Sequence, residues 1–135
     1  MSIVKISAAF EKKLNTLETN FPTAYENVQF TPVTGTAYQR VRILPAQPDN
    51  PTIGDSYYRE VGLFEVILFY PLDIGRNAAQ VKAEAIKALF KRGLAMVEDG
   101  LTVVVDRTPS IASAVQLDDR YVVPITISYY AEVQS

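Results

Sequence analysis

The stretch from residue 57 to 70 constrains the fold more than any other part of the chain. Val61, Leu63, Ile67 and Phe69 share one parity; Phe64, Val66, Leu68 and Tyr70 share the other. Side chains alternate across a strand, so a run that is apolar on both parities from residue 63 onward is a central strand covered on two sides. Pro71 stops its pairing. Glu65 interrupts the run. A buried carboxylate is costly unless paired, and Arg40, Arg42 or Arg107 on adjacent strands could pair with it. An ion pair or a subunit contact is favoured over a tuned catalytic acid, because no second catalytic group accompanies it.

Two amphipathic stretches supply helices. Ile6, Phe10, Leu14 and Leu17 recur at helical spacing after Ser2, a capping residue, which predicts a helix over about residues 3–18. Asn77 and Gln80 have capping-box spacing, and Val81, Ala85, Ala88 and Leu89 share a face flanked by Ile86 and Phe90. Lys82, Glu84, Lys87 and Lys91 lie largely elsewhere. This predicts a second helix over about 77–91, closed by Gly93. Shorter strands are expected at 24–30, 38–44, 101–107 and 110–117, with turns at Thr31–Thr36, Asp99-Gly100 and Asp118-Asp119. Residues 121–130 alternate as a last strand, and Pro124 within it predicts an edge strand or a bulge. The fold class is therefore α+β: a single, mostly antiparallel sheet of about five to six strands with the two helices packed on it. No linker or repeat divides the 135 residues, so 1–135 reads as one domain.

Composition removes several functions. There is no cysteine and no histidine. Disulfides, zinc–thiolate sites and serine–histidine or cysteine–histidine catalysis are excluded. No glycine-rich phosphate loop occurs, so no cofactor is expected. The formal charge is −2, which argues against wrapping nucleic acid by bulk charge. Lys5, Glu11, Lys12, Lys13 and Glu18 deny the N-terminus the uncharged core of a signal peptide, and no apolar run approaches the roughly 20 residues of a membrane span. Cytoplasmic synthesis and no membrane partner are expected. Glu11-Lys12-Lys13 matches half of a metal-nuclease pattern but reads better as a solvated helix face. Asp118-Asp119 reads as a turn, since strand neighbours point to opposite faces.

What remains points to surfaces. Pro45 to Ser56 holds three prolines and a glycine in twelve residues, a long irregular connection of the kind that binds partners or moves. Tyr57-Tyr58 leave that loop, and Tyr129-Tyr130 lie near the C-terminus; paired tyrosines are favoured at interfaces. The candidate interaction residues are Pro48, Asp49, Asn50, Pro51, Tyr57, Tyr58, Arg59, Tyr129 and Tyr130. No catalytic or metal-binding residue is assigned.

The same string carries a likeness. Pro22-Thr23-Ala24-Tyr25-Glu26-Asn27-Val28, Phe30-Thr31-Pro32, Tyr38-Gln39-Arg40-Val41 and Leu44 through Thr52 resemble a family of small prophage proteins. The resemblance continues at Tyr57-Tyr58-Arg59-Glu60, Tyr70-Pro71-Leu72, Asp106-Arg107-Thr108-Pro109 and Pro124-Ile125-Thr126-Ile127, and so covers nearly the whole chain. Tyr25 stands where that family leads one to expect tryptophan. The family is similar to the tail terminator proteins of long-tailed bacteriophages. The resemblance implies a non-enzymatic morphogenesis protein of the virion tail. Such proteins cap the finished tail tube as a six-fold ring, stop tube polymerisation and present a surface to the head connector, with DNA only as passing cargo. The implied partners are copies of itself (monomer or ring when free), the tail tube protein and the connector or neck protein. The alternatives are another head–tail connector, neck or minor tail component, a carboxylate-dependent metal hydrolase using Glu65 and Asp106, and a small-ligand module with a deep apolar pocket.

Overall fold

The structure is a computed structural model that describes residues 2–50, 57–72 and 77–134. Helix α1 spans Ser2–Asn15. Its stripe of Ile6, Phe10 and Leu14 is buried, and Leu17, just past the helix, packs against the same core. The helix stops short of residue 18 because the Thr16 N–H and hydroxyl both donate to the Lys13 carbonyl and tighten the last turn.

The predicted strand at 24–30 shrinks to β1, Thr23–Ala24, which runs parallel to β2, Tyr38–Pro45. Beyond Ala24 the chain turns, with Asn27 at φ 55°. Pairing with β2 is continued by a side chain instead of the backbone: the Ile43 N–H donates to Glu26 Oε1 at 2.7 Å.

The long strand is β3, Tyr57–Pro71, and its antiparallel partner is β8, Arg120–Gln134. The two pair over fifteen residues, from Tyr57 opposite Gln134 to Pro71 opposite Arg120. The edge expected for the last strand is corrected here. β8 is central, with β3 on one side and three short strands on the other: β5 (Leu101–Val105), β6 (Ser110–Ile111) and β7 (Val115–Leu117). Pro124 is tolerated because N–H and C=O of a strand residue point the same way. Its carbonyl accepts from the Ala112 N–H, so its donor-free nitrogen faces the break between β6 and β7.

A strand not anticipated, β4 (Ala95–Glu98), forms a hairpin with β5 through Asp99 and Gly100, both at positive φ (49° and 82°). Two successive left-handed residues match the right-handed twist of the hairpin. Among the described residues the sheet order is β1-β2-β3-β8-β5-β4 with β6 and β7 also on β8, eight strands with one parallel pair.

Helix α2 spans Asn77–Leu89, and it is rotated from the face expected. Ala79, Ala83 and Ile86 point inward, followed by Phe90, while Val81 is 61% exposed and Ala88 faces solvent. Lys82, expected on the polar side, is 8% exposed. Its amine lies 3.0 Å from Glu18 Oε1 and 4.1 Å from the centre of the Phe21 ring, so an ion pair and an aromatic face replace its water.

Both helices cover one face of the sheet. Phe10 stands at the centre of the core, stacked on Phe64 at 4.5 Å and 5.6 Å from both Phe90 and Tyr129. A smaller cluster of Tyr38, Phe69 and Val122 lies on the opposite face, beneath Phe30. That second cluster, with half-buried Leu63 and Ile67, is why the odd positions of β3 read as apolar.

Candidate functional site

The face of the sheet away from the helices carries the odd residues of β3 and the even residues of β8. At its open end this alternation sets Tyr57 and Arg59 beside Tyr130 and Glu132. Arg59 lies directly opposite Glu132, and its Nη2 donates to Glu132 Oε1 at 2.8 Å. The guanidinium also sits 4.9 Å from the centre of the Tyr130 ring. Hydrogen bonding to Glu132 pushes the Tyr57 phenol above its ordinary pKa, and the same phenol, then Arg59, holds Glu132 below the usual carboxylate value. At neutral pH the cluster is thus a neutral phenol beside a closed ion pair.

Two backbone hydrogen bonds of 2.8 Å tie Asp49 to Arg59, so exposed Pro48, Asp49 and Asn50 run alongside β3 into this patch. Pro51 lies outside the described residues. The patch borders a groove of about 620 Å³ between the end of β8 and the β4–β5 hairpin. Lys5, Asp99 and Val104 line its other side, with Lys5 and Asp99 3.7 Å apart.

The sequence therefore nominated six residues that converge: Pro48, Asp49, Asn50, Tyr57, Arg59 and Tyr130. Two others do not join them. Tyr58 projects to the helix side of the sheet, opposite Val133. Tyr129, expected at the surface, is 1% exposed and belongs to the core. Adjacent strand residues cannot share a face, so only one of Tyr129 and Tyr130 can be outward. Glu132, Lys5 and Asp99 were missed. Glu132 was findable once β3 and β8 were paired in register, because it is the acidic residue opposite Arg59.

The catalytic alternative gains no geometry. Glu65 is opposite Arg42 and forms an ion pair with its Nε. Asp106 follows β5, with β8 between it and Glu65, two strand spacings or about 10 Å across the sheet. Among the described residues no group of three or more acidic side chains could hold a metal ion, and no helix is long and apolar enough to cross a membrane. The 620 Å³ groove is a surface feature lined by Lys5, Asp99 and Glu132, unlike the deep apolar pocket of a small-ligand module.

The fold has a close counterpart. One solved structure superposes with a TM-score of 0.80 at 30% identity, covering 100% of this chain and 99% of that one. No curated protein matches. A model of the phage tail terminator protein family matches residues 5–129, which includes all of α2 and β1 to β7 and most of α1 and β8. The chain accordingly belongs to the phage tail terminator protein family, and its role lies in building the bacteriophage tail.

Proposed function

We propose that this protein closes the tail tube. It caps the finished end as a ring, halts addition of tube subunits and offers the head connector a surface to join. The family match over residues 5–129 carries this reading. The structure supplies compatible surfaces. One side of the sheet lacks helices, and Leu44, Val61, Leu63 and Ile67 are half-buried there, apolar groups that a neighbouring subunit would cover. At the end of that face the Tyr57–Arg59–Tyr130 patch combines aromatic and guanidinium groups, the composition of interface hot spots. The virion tail is its place of work, copies of itself, the tube protein and the connector are its partners, and no enzymatic step is required.

The test is deletion of the gene from an inducible phage that carries it. Expected are tails of uncontrolled length that fail to join heads, seen by electron microscopy. Normal virions would refute the reading. Tails of normal length that lack heads would instead assign the protein to the neck, and cross-linking to the connector without the tube protein would agree.

A further inference from the structure

The cations of this acidic chain are not evenly spread. Arg92 and Arg107 meet where the segment after α2 pairs with the end of β5, and Lys91 precedes Arg92 in the chain; all three are exposed. Arg92, Arg107, Asp106 and Thr108 line one open recess of about 460 Å³. Among the described residues no carboxylate lies within 4.0 Å of either guanidinium. The helix dipole favours a cation such as Lys87 in the last turn of α2, but Arg92 lies beyond the helix and Arg107 on another segment. Among the lining residues two arginines and a threonine hydroxyl outweigh the one Asp106 carboxylate, so the recess carries a net positive charge suited to an acidic group.

The same chain exposes a matching one. The β7–β8 turn carries Asp118 and Asp119 next to Leu117, which is 54% exposed. Among the described residues Asp119 reaches only Arg120, at 4.0 Å, and that guanidinium already serves two backbone carbonyls. Those bonds, to Val33 and Thr36, hold the neighbouring loop, so the turn is presented by a fixed scaffold. The recess and the turn cannot meet within one molecule. The Asp106 N–H donates to the Ser128 carbonyl, which sets the recess level with Ser128, eight residues along β8 from Arg120, or about 26 Å.

We propose that the Arg92–Arg107 recess receives the Asp118–Asp119 turn of a second copy. Two unlike patches of opposite charge form a head-to-tail contact, the kind that closes rings. The contact rests on the ring reading above and names the surfaces that make it.

The test begins with carbodiimide, which joins a carboxylate to a lysine amine only in contact. It is applied to an equal mixture of isotopically heavy and light protein, assembled alone or on purified tail tubes. A heavy–light link between Lys91 and Asp118 or Asp119 is expected. Assembly that yields only other links overturns this contact and leaves the ring standing; no assembly under either condition overturns both. Charge reversal then separates contact from misfolding. Arg92→Glu with Arg107→Glu makes the recess acidic, and Asp118→Asn with Asp119→Lys makes the turn basic while keeping a residue tolerant of positive φ at 118. Each variant alone should self-associate at least about tenfold more weakly, since like charges then meet. Mixed one to one, they should assemble as the parent does by alternating around the ring. Unaltered assembly of either variant, or failure of the mixture, overturns the proposal. So does loss of binding to a 30-base-pair duplex by the recess variant with assembly unchanged, which would make the recess a nucleic-acid contact.

Discussion

Gly62 and Tyr129 face one another across β3 and β8, and each explains the other. A Cβ on residue 62 would lie 2.6 Å from Tyr129 Oη and 2.7 Å from the Leu44 carbonyl, so only glycine lets the ring lie flat there. Gly62→Ala should therefore destabilise by about 1–3 kcal/mol in urea unfolding. The tyrosine hydroxyl is buried with no hydrogen-bond partner among the described residues, and burial, reinforced by Glu60, pushes its pKa up to about 12. The unfolded phenol ionises near pH 10 while the folded one resists, so the folded state holds the proton more tightly. Stability should be intact below pH 10 and fall between about pH 10 and 12. Tyr129→Phe should lose that decline and cost little at pH 7, which melts across this range will check. Glu11 illustrates the same sign at acid pH. Burial, then the charge of Glu26, raises its pKa, so the ionised form burdens the fold. Glu11→Gln should raise Tm at pH 7, with the advantage vanishing below about pH 4. Tyr129 shares its parity with Ile125 and Ile127, so its inward face was open to reading although both tyrosines were expected at the surface; the lack of a partner for its hydroxyl depends on three-dimensional packing.

At the level of elements, periodicity was readable where many side chains agreed. Residues 57–70 gave a central strand because two parities were apolar at once, and the fold places β3 between β2 and β8. α1 was equally plain, since large residues mark its stripe. α2 misled because alanines lie on several sides of it; Ala79 and Ala83 are buried, Ala88 is not, and no side-chain size distinguishes them. β4 is four residues long, too short for alternation to stand out. Pro124 argued for an edge, and only the arrangement of β6 and β7 shows how a central strand accommodates it. The loop before β2 depends on a residue distant in sequence. Arg120, stacked 5.1 Å from the Tyr38 ring centre, donates to the carbonyls of Val33 and Thr36. Arg120→Met should cost on the order of 2–3 kcal/mol by removing two charge-assisted hydrogen bonds. Amide exchange across residues 31–36 should accelerate more than elsewhere, a local signature that a general loss of stability would not give.

For the molecule as a whole, surfaces matter more than any single group. The Tyr57–Arg59–Tyr130 patch lies on the rim of the fold, so Arg59→Ala with Tyr130→Ala should change stability by about 0.5–1 kcal/mol at most. If the patch docks on the tube, the same double variant should fail to restore normal tail length in a deletion strain, whereas Glu84→Ala on the exposed side of α2 should restore it. Self-association should weaken as salt rises, because the charges that would meet are exposed. The sequence revealed the tyrosines and the proline-rich approach to them, but not that Arg59 and Glu132 would pair, since that follows from a register between strands more than seventy positions apart.

The Glu26 carboxylate gives the sheet a direction. On the outer side of β2, the Gln39 N–H is taken by the Pro22 carbonyl, the Ile43 N–H by Glu26, and Pro45 has none to give. Along β2 these outward donors are therefore already used, which blunts that flank against a further strand. The opposite flank, at β4, retains a free rim with Val97 70% exposed. Among the described residues an added strand therefore finds unpaired neighbours at the β4 and β7 rims and not along β2, which biases where another chain can extend this sheet.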